Sequence, residues 1–200
     1  EIGGEVSYSY YANGELSYIR TESTTYHIRL DVFSKPWEID VGDRTLATYE
    51  YYPNNGKLKK INYGNGFSEE YVYNTLEMLE EVWYTYDDGT RVLAYEYEYT
   101  IRGQLCKILD NLSGKTTVFG YDSNGNIIFS GRYDSEEYEL YSEYFYDDLL
   151  RTDKITTRIG YVVGNNQDYI TLSNEYGYTD NGLLSSFKTY GADIGYSYDS

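Results

Sequence analysis

The sequence predicts an all-β protein: tandem β-hairpins forming one curved antiparallel sheet or open spiral. Three observations predict it. An aromatic-x-Tyr triplet recurs along the whole chain, and its period of two puts both rings on one face of a strand. Each triplet runs into a short polar turn, usually ending in Gly, which supplies the positive φ that a hairpin reversal needs. Each turn runs into Leu/Ile-x-x-apolar, the return strand. No stretch between turn signals sustains the 3.6-residue period of a helix.

The copies follow in order. Tyr8-Ser9-Tyr10 leads through Gly14 to Leu16 and Ile19. Tyr49-Glu50-Tyr51 leads through Gly56 to Leu58 and Ile61, with one extra turn residue. Tyr71-Val72-Tyr73 leads through Glu77 to Leu79 and Val82, and Tyr97-Glu98-Tyr99 through Gly103 to Leu105 and Ile108. Phe119-Gly120-Tyr121 leads through Gly125 to Ile127. Tyr144-Phe145-Tyr146 leads through Leu150 to Thr152 and Ile155, and Tyr176-Gly177-Tyr178 through Gly182 to Leu184 and Phe187. Tyr196-Ser197-Tyr198 opens another copy. The common period is about 20–25 residues, a repeat architecture. The gap from Tyr10 to Tyr51 is about twice that, so a degenerate copy is expected over about 21–45, with a Pro36-Trp37 turn in place of the signature. Between units, turns are expected at Tyr63-Gly64-Asn65-Gly66, Asp87-Asp88-Gly89 and Gly164-Asn165-Asn166. The last is the tip of a longer hairpin over about 151–178, with arms Lys154 to Val163 and Tyr169 to Tyr178. The Leu-x-x-Ile spacing of three puts those side chains on opposite faces of a flat strand; a bulge or strong twist would reconcile them.

Composition sets the class. Of 200 residues, 29 are Tyr and only two are Pro, which reads as an ordered domain with a Tyr-built core. The aromatic pairs are expected to stack as ladders across neighbouring units. The units are contiguous, so residues 1–200 read as a single repeat domain. The chain begins at Glu1 and is expected to be a fragment of a larger repeat protein. A formal net charge of −17 argues against nucleic acid and against an anionic membrane surface. No run of apolar residues is long enough to insert into a bilayer as a helix.

The unit resembles the YD repeat of Rhs proteins, teneurins and the large subunits of bacterial Tc toxins. The strongest copy is Tyr121-Asp122-Ser123-Asn124-Gly125-Asn126-Ile127, and Tyr-Asp recurs at Tyr146-Asp147 and Tyr198-Asp199. The Gly-Arg-Leu of that family reads here as Gly14-Glu15-Leu16, Gly56-Lys57-Leu58 and Gly103-Gln104-Leu105, so the basic residue is mostly lost. The resemblance implies hairpins joined edge to edge into a spiral sheet. It implies a structural scaffold or shell segment of a secreted or cell-surface protein, in toxin or cell-contact systems. The Arg- and Asp-Pro-Gly-rich motif that follows the repeats in toxin-bearing members is absent from this sequence.

No enzyme is expected, and no cofactor. One His, His27, and one Cys, Cys106, cannot close a zinc site or a disulfide, and a Ser-His-Asp arrangement would rest on His27 alone. Cys106 reads as a packed thiol. The carboxylate pairs Glu69-Glu70, Glu80-Glu81, Asp87-Asp88, Glu136-Glu137 and Asp147-Asp148 read as solvated faces and turns rather than a glycosidase pair. Asp122, Asn124 and Asn126 have the alternate oxygen spacing of a calcium loop, but Ile127 and Tyr133 stand where Gly and Glu belong. Trp37 and Trp83 lie outside the repeated positions and are the candidates for stacking on a sugar. Two functions compete: a scaffold, whose partners are the neighbouring repeats, or a module presenting aromatic side chains to a glycan or protein. Unpaired edge strands around Val6–Tyr11 and Ile194–Tyr198 are expected to support self-association.

Overall fold

The computed structural model describes residues 5–134, 137–163 and 166–198. They contain no helix and seventeen strands. These are β1 (Ser7–Tyr10), β2 (Leu16–Arg20), β3 (Thr25–Leu30), β4 (Pro36–Val41), β5 (Arg44–Tyr51), β6 (Leu58–Tyr63), β7 (Ser68–Tyr73), β8 (Leu79–Thr85) and β9 (Arg91–Tyr99). There follow β10 (Leu105–Asp110), β11 (Lys115–Tyr121), β12 (Ile127–Asp134), β13 (Glu137–Tyr146), β14 (Thr152–Val163), β15 (Asn166–Tyr178), β16 (Leu184–Thr189) and β17 (Ala192–Gly195). The chain forms two compact units, Glu1–Tyr95 and Glu96–Ser200. In each, strands pair antiparallel with their neighbours in chain order, an open meander of hairpins.

One turn recurs. Its first residue donates its N–H to the carbonyl four residues on, and the N–H of its fourth residue returns to the first, as at Asp122 to Asn126 (2.9 Å) and Gly125 to Asp122 (3.2 Å). The fourth residue is left-handed, with φ of +88° at Gly14, +78° at Gly103, +94° at Gly125 and +82° at Gly182. Glu77, Leu150 and Ser34 take the same place with φ of 60°, 61° and 62°. Gly56 holds it at 67° in the turn with the extra residue. Asp or Asn at the first position folds back on the turn. Asp122 Oδ1 accepts from the N–H groups of Asn124 and Asn126, Asp147 Oδ1 from Leu149 and Arg151, and Asn74 Oδ1 from Leu76 and Met78. The Asp of Tyr-Asp is therefore a turn cap.

The degenerate copy is a full hairpin, β3–β4, but its turn is not Pro36-Trp37. The turn is Asp31 to Lys35, with Ser34 in the left-handed place and Asp31 Oδ1 capping Phe33 and Lys35. Pro36 opens β4, where a fixed φ and a missing N–H are tolerated. Leu30 stands where the signature Tyr belongs, opposite Pro36.

A bulge resolves the Leu-x-x-Ile spacing. The register shifts immediately before Tyr10, Leu30, Tyr51, Tyr73, Tyr121, Tyr146 and Tyr178. Tyr10 pairs with Leu16 and Tyr8 with Ile19, so the return strand carries one unopposed residue, Ser17. Tyr51 with Leu58 and Tyr49 with Ile61, and Tyr178 with Leu184 and Tyr176 with Phe187, repeat the pattern. The extra residue returns both apolar side chains to the face of the two aromatics. Gly120, between Phe119 and Tyr121, has its own reason: a Cβ there would lie 2.0 Å from the Phe129 ring.

Burial is shallow, and the Tyr-built core is not what forms. The buried apolar residues among those described are Ala47, Val82 and Ala94, and no large side chain is fully buried. Tyr8 and Tyr10 are 56 % and 60 % exposed, and the signature Tyr residues from Tyr51 to Tyr178 are half-buried. The ring contacts of Tyr52, Phe67 and Tyr176 do not run as the expected ladder from one signature Tyr to the next. Successive signature strands are two strands apart, about 10 Å, beyond the roughly 4.5–7 Å at which rings pair. The return strand's Leu or Ile stands between them. Rings meet elsewhere: Tyr176 with Phe187 at 5.3 Å, Phe67 with Tyr84 at 5.0 Å, and Tyr52 with Tyr73 at 5.9 Å.

The long hairpin is present as β14–β15, in register from Lys154–Glu175 to Val163–Asn166. Of its expected tip, Gly164 and Asn165 lie outside the described residues, as do Glu136 and Asp199.

Candidate functional site

The feature the fold repeats most faithfully is the joint between one unit and the next. Each joint has the same donor and acceptor. Tyr51 donates its hydroxyl to the Pro36 carbonyl at 2.7 Å, Tyr73 to Leu58 at 3.0 Å, and Tyr121 to Leu105 at 2.6 Å. Tyr146 donates to Ile127 at 2.7 Å, Tyr178 to Thr152 at 2.8 Å, and Tyr198 to Leu184 at 2.7 Å. The acceptor is always the first residue of the preceding return strand. Burial raises the pKa of Tyr51, Tyr73, Tyr121 and Tyr146 above the ordinary phenol value, so the donors keep their protons.

A second contact overlies the first. The residue after the left-handed turn position reaches toward the next unit. Lys35 Nζ lies 5.1 Å from the centre of the Tyr51 ring, Lys57 Nζ 5.0 Å from Tyr73, and the Arg151 guanidinium 4.5 Å from Tyr178. Lys35, Lys57 and Gln104 also donate to the carbonyls of Gly56, Glu77 and Gly125 in the following turns. This is the place of the basic residue in Gly-Arg-Leu. Lys35 and Arg151 hold it along with Lys57; both escape a search for Gly because Ser34 and Leu150 precede them.

The two Trp residues differ. Trp37 is the unopposed residue of the β4 bulge and is 43 % exposed. Trp83 is engaged by the sheet: its indole N–H donates to Glu81 at 2.6 Å, and the Arg91 guanidinium covers the ring at 4.0 Å while pairing with Glu70 at 2.9 Å.

At the calcium candidate, both Asp122 carboxylate oxygens serve the turn. Oδ1 accepts from two backbone N–H groups, and Oδ2 accepts from the Asn126 side-chain amide at 2.9 Å. The Asn126 amide, then the backbone N–H groups, hold the Asp122 pKa below its ordinary value. No group of three metal-ligating side chains occurs among the described residues.

Adjacent carboxylates on a strand point to opposite faces. Glu69 accepts from the Tyr71 hydroxyl at 2.5 Å, while Glu70 pairs with Arg91. Asp88 and Asp147 cap turns. His27 Nδ1 meets buried Asp40 at 3.0 Å, and Arg29 donates to the same carboxylate at 2.7 Å. The hydrogen bond from His27, then that from Arg29, lowers the Asp40 pKa. The Cys106 thiol lies 3.4 Å from the Glu98 carbonyl.

No family model matches the chain, and no curated protein matches it. Among solved structures, a chain of the Photorhabdus luminescens Tc holotoxin pore is 15 % identical, with a TM-score of 0.47, over 92 % of this chain and 9 % of its own. A chain of the TcdB2-TccC3-TEV crystal structure is 14 % identical, with a TM-score of 0.48, over 93 % of this chain and 9 % of its own. A porin-like protein from Bacteroides uniformis is 11 % identical, with a TM-score of 0.34, over 85 % of this chain and 88 % of its own. The chain thus spans 9 % of the length of either of the first two chains.

Proposed function

We propose that the chain is a non-catalytic scaffold or shell-wall segment of a larger YD-type repeat protein of the cell surface or extracellular space. The observation that carries this reading is the joint: the same hydroxyl-to-carbonyl link ties unit after unit, from Tyr51 on Pro36 to Tyr198 on Leu184. A wall needs interchangeable parts that grip their neighbours, and the side chains that vary least here are the ones that grip. Of the carboxylates named as candidates for catalysis, Glu69 accepts from a Tyr hydroxyl, Glu70 pairs with Arg91, Glu81 accepts from the Trp83 indole, and Asp88 and Asp147 cap turns, which supports a structural role for these five. Service in a toxin or cell-contact system follows from the repeat resemblance. The partners in this reading are neighbouring hairpins, in the same polypeptide or in a second copy meeting at β1 or β17.

The alternative, a module that presents aromatic side chains to a glycan or protein, draws support from Trp37, exposed at its bulge. A replacement experiment in the parent polypeptide separates the two. The exposed side chains are exchanged while the signature Tyr, return-strand Leu or Ile, and left-handed turn residues are kept. A wall segment leaves the parent's activity intact. Loss of activity with the β spectrum retained overturns the scaffold reading.

A further inference from the structure

We propose that Asn124 and Asn181 are sites of self-deamidation, where the folded chain converts its own asparagine to aspartate and isoaspartate. The proposal does not depend on the wall reading. Asn-Gly occurs five times, at Asn13, Asn55, Asn65, Asn124 and Asn181, and each Asn is exposed. Each stands immediately before a left-handed turn Gly, with φ of +88°, +67°, +89°, +94° and +82° in that order. A Gly carries no side chain to shield its backbone nitrogen.

The step is intramolecular, so proximity governs its rate. The Gly backbone nitrogen gives its proton to a solvent base and attacks the Asn side-chain carbon Cγ. The N–Cγ bond forms, the Cγ–Nδ2 bond breaks, and ammonia leaves, taking a proton from solvent. Water then opens the succinimide ring at either carbonyl, leaving aspartate or isoaspartate. Each event consumes one water, releases one ammonium ion and adds one negative charge to a chain of net charge −17.

The residue that opens each turn decides which Asn is free. In all five turns the Gly N–H donates to the carbonyl of the opening residue, at 2.9 Å for Gly14, 2.8 Å for Gly56, 3.0 Å for Gly66, 3.2 Å for Gly125 and 2.9 Å for Gly182. Releasing that bond is a cost they share. The Asn side chains differ. Where Tyr opens the turn, the Asn caps it: Asn13 Oδ1 accepts from the Glu15 N–H at 3.2 Å, Asn55 from Lys57 at 3.0 Å and Asn65 from Phe67 at 3.1 Å. Asn13 and Asn55 are held a second time, by Ser34 at 2.8 Å and Glu77 at 3.4 Å. Where Asp122 or Thr179 opens the turn, that residue takes the equivalent N–H, from Asn126 at 2.8 Å or Leu183 at 3.1 Å. Asn124 and Asn181 then have no side-chain hydrogen bond among the described residues and can rotate onto the Gly nitrogen. Arg102 and Gln104 grip the carbonyls of Ser123 and Gly125, not the amide that reacts.

The test is incubation of the folded 200-residue protein at neutral pH, with conversion at each Asn-Gly followed by peptide mass mapping. Isoaspartate is counted by enzymatic methyl transfer from S-adenosylmethionine. Asn124 and Asn181 are expected to convert about fivefold faster than Asn13, Asn55 and Asn65, the factor that one net hydrogen bond is worth. In urea above the unfolding midpoint the five rates are expected to converge, because the dipeptide is the same. Thr179→Val keeps the backbone bonds of its turn and returns the Leu183 N–H to Asn181, so conversion at Asn181 is expected to slow while that at Asn124 holds. Thr179→Ser keeps the hydroxyl and is expected to keep the rate. Three results overturn the proposal: Asn13, Asn55 or Asn65 leading in the folded protein, the same order of rates in urea, or an unchanged Asn181 rate in a Thr179→Val protein that retains its β spectrum.

Discussion

The hydroxyl of Tyr146 donates to the carbonyl of Ile127 at 2.7 Å, across the boundary between one hairpin unit and the one before it. The phenol is half-buried and its pKa is raised by burial, so removing the oxygen strands a carbonyl that has little water to turn to.

Tyr146→Phe is therefore expected to lower stability by about 1 kcal/mol, and Tyr121→Phe by a similar amount. Tyr121 is paired with Ile127, the residue that accepts from Tyr146, so the double substitution is expected to depart from the sum of the two. Urea denaturation followed by far-UV circular dichroism measures both. Unchanged midpoints for both single variants would show that the joint contributes nothing.

Leu30 occupies the place where the signature Tyr would stand, so the degenerate unit lacks the donor for the Leu16 carbonyl. Leu30→Tyr supplies one. The expected gain is about 0.5–1 kcal/mol, the net worth of one hydrogen bond. A thermal melt lower than the parent's would mean that the β3–β4 hairpin has been reshaped around Leu30 and no longer fits the ring.

Left-handed turn positions give a matched pair of substitutions. Gly89 has φ of +83° and open space where a Cβ would go, so Gly89→Ala isolates the conformational cost, about 1–2 kcal/mol. Leu150 already bears that cost at φ 61° and is 53 % exposed. Leu150→Gly is expected to stabilise, by about 0.5–1 kcal/mol after the added freedom of the unfolded chain is counted. Chemical denaturation of the two variants in parallel should move in opposite directions; a shared direction contradicts the turn assignment.

Stability should fall at both ends of the pH scale, for opposite reasons. Asp122 and Asp147 have folded pKa values below the ordinary carboxylate value, so their contribution is complete above about pH 4 and is lost as pH drops through the folded values. The cause is the donors each accepts from: for Asp122 the Asn126 amide first, for Asp147 the Arg151 backbone N–H first. Asn at either position keeps the capping oxygen, so Asp122→Asn with Asp147→Asn should flatten the acid limb without dismantling the turns. The Tyr hydroxyls shift the other way. Their folded pKa values are raised, so their contribution is complete below about pH 10 and is lost above it. Urea midpoints from pH 3 to pH 11 measure both limbs. An acid limb as steep in the double Asn variant as in the parent would remove the caps from the account.

Much of this was legible in the residues because the repeat is written in chemistry that has one structural meaning. Aromatic-x-Tyr fixes a face, Gly after Asn or Asp fixes a reversal, and a spacing of three after the turn calls for a bulge. Recognition by Gly failed at Ser34, where a residue seldom left-handed takes the turn, and the hairpin was displaced onto Pro36-Trp37. The same failure hid Lys35 and Arg151 from the list of basic residues. The hydroxyl links were out of reach for a different reason: each joins residues of different units through a backbone oxygen, and backbone oxygens carry no sequence.

The shallow burial has a thermodynamic consequence. A protein held together by a shared interior melts as one body, because every part loses the same centre. Here each strand leans on the strands beside it, so the molecule behaves as a one-dimensional chain of coupled elements. Opening is expected to begin at β1 or β17 and to travel inward, and amide protons should exchange along a gradient, fastest at the outer strands and slowest within each array. Stability then scales with the number of hairpins in register. The joints set how far a local opening spreads before it closes again.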